Sequence, residues 1–314
     1  MICTVGTRSS QLALAQTRDV IRQLQKSCPQ IDFQIKEILT IGDQRLDVSL
    51  SKIGGKGLFT QELETGILNR DIRFAVHSLK DLPIQLPEKL VIGSTPKREK
   101  ANDVIVWKTA FEYDSSKPLL KQLPAGYKVG TSSLRRKSQL LINNPYVSVT
   151  LMRGNVPTRI RKMMDGCCDA IILAKAGLNR LEIVSNQVLD IDCEEMLPAV
   201  GQGALAIECH QDDFEIRNVL QSIHDTKTNI EVSCERAFLK RLGGSCNLPV
   251  ACLAHVIDNR LEVQGLVAST DGKKYVREIL HGHIDNHTEL GIELAEIIIK
   301  NGGDKILKDC ESYE

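Results

Sequence analysis

Residues 127–180 read YKVGTSSLRRKSQLLINNPYVSVTLMRGNVPTRIRKMMDGCCDAIILAKAGLNR, and the alternation within them decides the fold class. Tyr127–Gly130, Val147–Met152 and Ala170–Leu173 are apolar runs of strand length. Helical stretches follow Ser133 and Val156, and a third surrounds Ala176. Strand and helix taking turns is the pattern of an α/β layer. Working upstream, this unit opens near Ala101 with another strand, Val104–Trp107. The chain before it repeats the alternation, with strands at Ile2–Thr7, Phe74–Ser78 and Leu90–Ser94 and a further strand through Phe33, Ile35, Ile38 and Ile41. Ser9 or Ser10 caps a helix whose apolar face is Ala13, Thr17, Val20, Ile21 and Leu24, and Phe59, Leu63 and Ile67 mark a second helix. Downstream, Pro198–Gly203 is a connection, followed by a short apolar stretch and a helix over Phe214–Ile223. The C-terminal part changes character. A helix carrying Ile230, Cys234, Phe238 and Leu242 precedes three strands with turns at Asp258-Asn259 and Asp271-Gly272, then a helix, Thr288–Lys300, stopped by Gly302-Gly303. The expected architecture is two α/β units and a small C-terminal α+β domain with a three-stranded antiparallel sheet.

A chain of 314 residues with 42% apolar and 25% charged residues has the makings of a packed core. Forty basic residues balance forty acidic ones and aromatics are 4%, which argues against a nucleic-acid binder. No apolar run reaches the roughly 18 residues of a membrane span. Met1–Arg8 lacks an apolar stretch after a basic start, so a cytoplasmic protein is expected. None of the ten cysteines forms a Cys-x-x-Cys pair, and His281, His283 and His287 fall at a strand end and its turn, so no metal is expected. Charge is unevenly spread. Residues 128–180 hold ten Lys or Arg against Asp165 and Asp169, and residues 182–235 hold twelve acids against Arg217 and Lys227.

Ligands of open α/β sheets bind beyond the carboxyl ends of the strands. The first strand delivers Arg8 and Ser10 there, and Phe74–Ser78 delivers Lys80 and Asp81. Tyr127–Gly130 delivers Thr131, Ser132 and Ser133 and then Arg135 and Arg136; Val147–Met152 delivers Arg153 and, further on, Arg159; Ala170–Leu173 leads to Lys175 and Arg180. Guanidinium forks and hydroxyls at helix starts suit a small ligand with several anionic groups, so one cationic cleft is expected. Asp81 is a carboxylate among cations, suited to steadying positive charge or moving a proton. Gly54-Gly55-Lys56-Gly57 lacks the spacing of a phosphate-binding P-loop and reads instead as a lid, with Phe59 beside it.

Seven stretches together resemble one family. Thr7-Arg8-Ser9-Ser10, Gly54-Gly55-Lys56-Gly57-Leu58-Phe59, His77-Ser78-Leu79-Lys80-Asp81, Gly130-Thr131-Ser132-Ser133-Leu134-Arg135-Arg136, Arg153-Gly154-Asn155 with Arg159, Pro198-Ala199-Val200-Gly201-Gln202-Gly203 and Gly243-Gly244-Ser245-Cys246 occur in the order seen in hydroxymethylbilane synthases, or porphobilinogen deaminases. The resemblance implies two periplasmic-binding-protein-like lobes and a third domain: residues 1–98 with about 204–222, residues 99–203, and residues 223–314. It implies a monomeric transferase that joins four porphobilinogen molecules head to tail, with loss of ammonia, on a dipyrromethane cofactor. By the same resemblance Cys246 is similar to the thioether attachment residue, and Asp81 to the catalytic carboxylate. Arg8, Ser10, Ser78, Lys80, Thr131, Ser132, Ser133, Arg135, Arg136, Arg153, Gly154, Arg159, Arg180 and Gln202 are similar to the groups that take cofactor and substrate carboxylates. The chain departs from the family where an acidic residue usually precedes Gly-Gly-Cys.

The rival readings are a non-catalytic two-lobed binding protein for polycarboxylate or phosphate ligands, and a Schiff-base enzyme using Lys56 or Lys80. The first needs neither Asp81 nor the Cys246 loop. Borohydride trapping distinguishes the second.

Overall fold

The structure is a computed structural model that describes residues 2–44, 60–109, 112–244 and 248–311. The chain divides into two compact units, Met1–Glu99 with Gly203–Asn229, and Lys100–Gln202 with Ile230–Glu314. The strands in chain order are β1 (Ile2–Arg8), β2 (Asp32–Ile38), β3 (Phe74–Ser78), β4 (Leu90–Ser94), β5 (Asp103–Trp107), β6 (Lys128–Gly130) and β7 (Ser148–Thr150). They continue with β8 (Ala170–Ala174), β9 (Val188–Asp190), β10 (Leu205–His210), β11 (Val250–Ile257), β12 (Arg260–Ala268) and β13 (Tyr275–His283). The helices are α1 (Gln11–Ser27), the single turn α2 (Ile41–Gln44), α3 (Gln61–Leu68), α4 (Leu134–Asn143) and α5 (Val156–Met164). After them come α6 (Lys175–Arg180), α7 (Phe214–Gln221), α8 (Thr226–Arg241), α9 (His287–Ile298) and α10 (Asp304–Glu311). No helix among the described residues is long and apolar enough to cross a membrane.

In the first unit the sheet order is β2-β1-β3-β10-β4. β1 runs parallel to β2 and β3, whereas β10 is antiparallel to both β3 and β4. One sheet face buries Val5, Phe33, Phe74, Val76, Leu205 and Ile207 with Val20, Ile21 and Leu24 of α1 and Ile216 and Leu220 of α7. The other buries Ala75 with Leu63 and Ile67 of α3. One expectation is corrected here. The second strand stops at Ile38 and Ile41 opens a helical turn, because the run from Phe33 to Ile41 breaks period two. The short apolar stretch after Gly203 is β10, the strand between β3 and β4, buried at every position.

The second unit holds a sheet of order β7-β6-β8-β5-β9, with β6 parallel to β7 and β8 and β5 antiparallel to β8 and β9. β9 had no sequence signal beyond three residues, and the expected strand Val147–Met152 shortens to Ser148–Thr150. One face packs Ile105, Trp107, Val129 and Ile172 against Leu140 of α4; the other packs Val104, Val106, Ile171 and Leu173 against Met163 of α5. The separate sheet β11-β12-β13 is antiparallel throughout, with the Asp258-Asn259 hairpin turn joining the pair Ile257 and Arg260 and Asp258 at φ 54°. Gly291 lets α9 meet the backbone of α8, since a Cβ there would fall on the Cys234 carbonyl. The expected helix Thr288–Lys300 ends at Ile298, and Gly302, at φ 98°, turns the chain into α10.

The acid-rich stretch is largely structural. Asp213 caps α7 and takes the Arg73 fork at 2.6 and 2.7 Å. Glu195 accepts from the backbone N–H groups of Leu119 and Leu120, and Glu194 pairs with Arg277 at 3.1 Å.

Candidate functional site

In the first unit the carboxyl ends of the neighbouring strands β1 and β3 carry the expected residues. β3 ends at Ser78 and passes into a single 3-10 turn, Leu79–Asp81. Leu79 and Leu82 are buried and pin that turn, with the Leu79 N–H donating to the Ala204 carbonyl at 3.0 Å. Leu79 is held inward while Lys80 is half-buried and Asp81 exposed. The Ser10 hydroxyl caps α1 by accepting from the Ala13 N–H at 3.2 Å, and Gln16, one turn further on, donates to the Ser78 hydroxyl at 2.8 Å. Arg8 is half-buried at the end of β1.

Beneath this rim lies a buried ionisable cluster that sequence reasoning missed. His77 and Ala75 share the α3-facing side of β3, and Glu208 takes the same side of β10 because Leu205, Ile207 and Cys209 occupy the other. His77 Nε2 lies 3.0 Å from Glu208 Oε2, with both side chains buried. Neither Glu208 oxygen has an aligned hydrogen bond among the described residues. Burial pushes the Glu64 carboxyl of α3 above its ordinary value, and the nearby charge of Glu208 adds to the shift. The available signal was a single charge inside the apolar run Leu205–Cys209.

In the second unit the donors sit where β6, β7 and β8 end. Thr131 accepts from the Ser133 N–H at 3.1 Å, and Ser133 in turn caps α4 by accepting from the Arg136 N–H at 3.4 Å. Ser132 is exposed between them. Asn155 caps α5 through the Thr158 N–H at 3.0 Å, with Pro157 in the first turn, where its missing N–H costs nothing. Gly154 stands at φ 118°, where a Cβ would lie 2.8 Å from Thr158 Cγ2, so only glycine fits. Arg159 Nε donates to the Gly154 carbonyl at 2.6 Å, which ties the arginine to the loop that carries the half-buried Arg153. Arg180 ends α6, half-buried, and Lys175 at its start pairs with Asp190 at 2.8 Å.

Arg135, Arg136 and Gln202 come together, on a carboxylate that sequence reasoning did not single out. Asp103 opens β5 on the face that Ile105 and Trp107 share with α4, and it is fully buried. Arg135 Nη1 donates to Asp103 Oδ2 at 2.7 Å and to the Leu197 carbonyl at 2.8 Å. Arg136 donates to Asp103 Oδ1 from Nη2 at 2.8 Å and from Nε at 3.2 Å, and from Nη1 to the Ile172 carbonyl at 3.0 Å. Gln202 Nε2 donates to Asp103 Oδ1 at 2.8 Å and to the Ala101 carbonyl at 2.7 Å. Burial alone would raise the Asp103 pKa, but the charges of Arg135 and Arg136 and their hydrogen bonds outweigh it and hold the carboxyl well below the usual range. Two of the expected clamp arginines are therefore inside the fold, 4% and 6% exposed, with protein acceptors already in their forks.

Cys246 and the lid residues Gly54, Gly55, Lys56, Gly57 and Phe59 lie outside the described residues. Cys246 falls in the chain between the end of α8 and the start of β11. Burial pushes the thiols of Cys3 and Cys234 up to about 12 and those of Cys168 and Cys209 up to about 11, which leaves these four un-ionised and poor nucleophiles near neutral pH.

Two mixed sheets with hydroxyls, capped helix starts and guanidinium groups at their strand ends, and a separate antiparallel sheet, define an α/β protein. Residues 3–218 match the family model described as porphobilinogen deaminase, dipyromethane cofactor binding domain, and residues 229–300 match porphobilinogen deaminase, C-terminal domain. The chain belongs to the porphobilinogen deaminase family. It is 46% identical over 311 residues to a porphobilinogen deaminase of Listeria welshimeri, covering 98% of each chain. It is 44% identical to one of Desulforamulus reducens, covering 99% of this chain and 98% of that one. Among solved structures, the periplasmic VFT2 domain of Bordetella pertussis BvgS aligns at 12% identity over 75% of this chain and 92% of that one, with a TM-score of 0.41.

Proposed function

We propose that this chain is a hydroxymethylbilane synthase, a transferase that builds a linear tetrapyrrole from four porphobilinogen molecules. The observation that carries the reading is the 46% identity that runs over 98% of both chains, cofactor-binding and C-terminal domains included. Each addition breaks the C–N bond of one aminomethyl group and releases ammonia. A C–C bond then forms to the α-carbon of the preceding pyrrole, and that carbon loses its proton.

The donor set suits a dipyrromethane group, whose two rings bring four carboxylates. Thr131, Ser132 and Ser133 with the start of α4, and Arg153 and Arg159 with Gly154, offer hydroxyl, N–H and guanidinium donors in the second unit. Arg180, Arg135, Arg136 and Gln202 complete that set. When bound through a thioether to Cys246, the group supplies the pyrrole carbon from which the chain grows. In the first unit Asp81 is the catalytic residue: an exposed carboxylate on a pinned turn accepts from pyrrole N–H groups, disperses their positive charge and carries the departing proton. Arg8, Ser10, Ser78 and Lys80 take carboxylates of the incoming substrate.

The division into residues 1–98 with about 204–222, 99–203 and 223–314 belongs to the same proposal, supported by the separate sheet β11-β12-β13 and the separate C-terminal family model. So do a monomeric state and a cytoplasmic location. Intact mass with peptide mapping tests the reading: the purified chain carries the mass of two porphobilinogens less two ammonias, on Cys246, and releases ammonia from porphobilinogen. A chain that gains no mass from porphobilinogen or from preformed hydroxymethylbilane is a binding protein instead.

A further inference from the structure

We propose that Asp103 is the positioning residue of the anion-binding half of this enzyme, fixing Arg135 so that its remaining edge takes a carboxylate of the pyrrole chain. The inference rests on the function proposed above and adds a residue to it. Asp103 is fully buried, and its side-chain partners are Arg135, Arg136 and Gln202.

The geometry divides the labour between the two arginines. Arg136 turns Nε, Nη1 and Nη2 to protein acceptors, so its fork is spent on Asp103 and the Ile172 carbonyl. Arg135 commits only Nη1, to Asp103 and the Leu197 carbonyl. Among the described residues none accepts from its Nε or Nη2, the pair that forms a planar, two-point edge for a carboxylate. One carboxylate facing two guanidinium groups leaves the cluster one positive charge in excess, and that charge falls on the arginine with donors to spare. A buried cation gains from any anion that reaches it. Arg136 thus serves as ballast that holds the Asp103 carboxylate ionised and oriented, and Gln139, which exchanges hydrogen bonds with Leu197 at 2.7 and 3.0 Å, steadies the carbonyl that shares Arg135 Nη1. Gln202 adds a third donor to Asp103, so the carboxylate cannot rotate to release either arginine.

The test compares holoenzyme forms of Asp103→Asn, Asp103→Glu, Arg136→Met and the double variant Asp103→Asn/Arg136→Met, with cofactor loading checked by intact mass. KM and kcat for porphobilinogen and the thermal midpoint are measured for each. Asp103→Asn and the double variant should raise KM at least about tenfold, with kcat within about threefold of wild type, as expected for lost binding. Asp103→Glu should recover most of the loss, and Arg136→Met, which keeps the Asp103–Arg135 pair, should raise KM by less than Asp103→Asn does. The double variant has the same cluster charge as wild type, so it remains testable if Asp103→Asn alone does not fold. A KM within twofold of wild type in the folded variants overturns the proposal. So does an equal rise in KM in Ile105→Ala at a matched loss of thermal midpoint, or failure of both Asp103→Asn forms to fold, since Asp103 would then be a structural residue only. Wild-type turnover of porphobilinogen, run alongside, separates the two claims: its absence removes the function itself, whereas unchanged KM in active variants removes only the role of Asp103.

Discussion

The two mixed sheets share one strand order and bury opposite chemistry. In both, two parallel strands flank a third, and one antiparallel strand is inserted further along, β10 between β3 and β4 in the first unit and β5 between β8 and β9 in the second. Each inserted strand brings a carboxylate into the fold. Glu208 meets one histidine and a second acid, Glu64, without an aligned hydrogen bond; Asp103 meets two arginines and an amide in satisfied geometry. The difference teaches that a shared fold does not set the sign of a buried cluster. In the first unit burial raises the pKa of Glu64, whereas the second keeps an ionised carboxylate by surrounding it with permanent cations. Under the proposed function the proton chemistry of Asp81 belongs to the first unit, while both units bind anions.

The largest effect should come from the rim of the first unit. Asp81→Asn is expected to lower kcat about 10²–10⁴-fold with the cofactor mass unchanged, the scale of a lost acid–base group. Near-normal turnover would break the assignment of proton chemistry to that unit. Next in size is the contrast between the buried carboxylates. Asp103→Ala leaves two buried guanidinium groups without a counter-charge and should cost about 3–5 kcal/mol in urea denaturation. Glu208→Gln keeps the shape of the side chain, and its partner is a histidine rather than a permanent cation, so it should cost about 1 kcal/mol. Equal costs would erase the difference between the clusters.

Arg153→Leu should act on binding alone, raising KM for porphobilinogen about tenfold through the loss of a charged hydrogen bond, with the fold intact by circular dichroism. The smallest effect sharpens the comparison through pH. Glu64 has a raised pKa in the folded chain, so above its ordinary value of 4.5 the unfolded chain gives up this proton first and stability falls as pH rises. Asp103 has a lowered pKa, so its contribution is present above its ordinary value of 3.8 and is lost only as pH falls below that. Glu64→Gln should therefore gain about 2 °C in thermal midpoint over wild type at pH 8, and less at pH 5. A gain independent of pH would show that Glu64 is ionised in the fold.

Local signals sufficed for much of this molecule. Alternating apolar runs placed β1, β3, β4, β5, β6 and β8, and the capping serines Ser10 and Ser133 sit at the starts of α1 and α4 because a hydroxyl one residue ahead of a helix satisfies an N–H that the helix itself cannot. The rim residues Lys80, Asp81, Thr131 and Arg153 followed from strand direction alone, as side chains just beyond a parallel strand's carboxyl end must lie on that edge of the sheet. What tertiary structure decided are the pairings that no window of sequence contains. β10 reaches β3 across more than a hundred residues, and Gln202 reaches Asp103 across 99. Arg135 and Arg136 read as surface clamps because nothing nearby in the chain can neutralise them; only the strand inserted from residue 103 does so. Period and capping are properties of a few consecutive residues, so composition and spacing report them. The fate of a charge depends on which distant strand arrives beside it, and that was settled by packing.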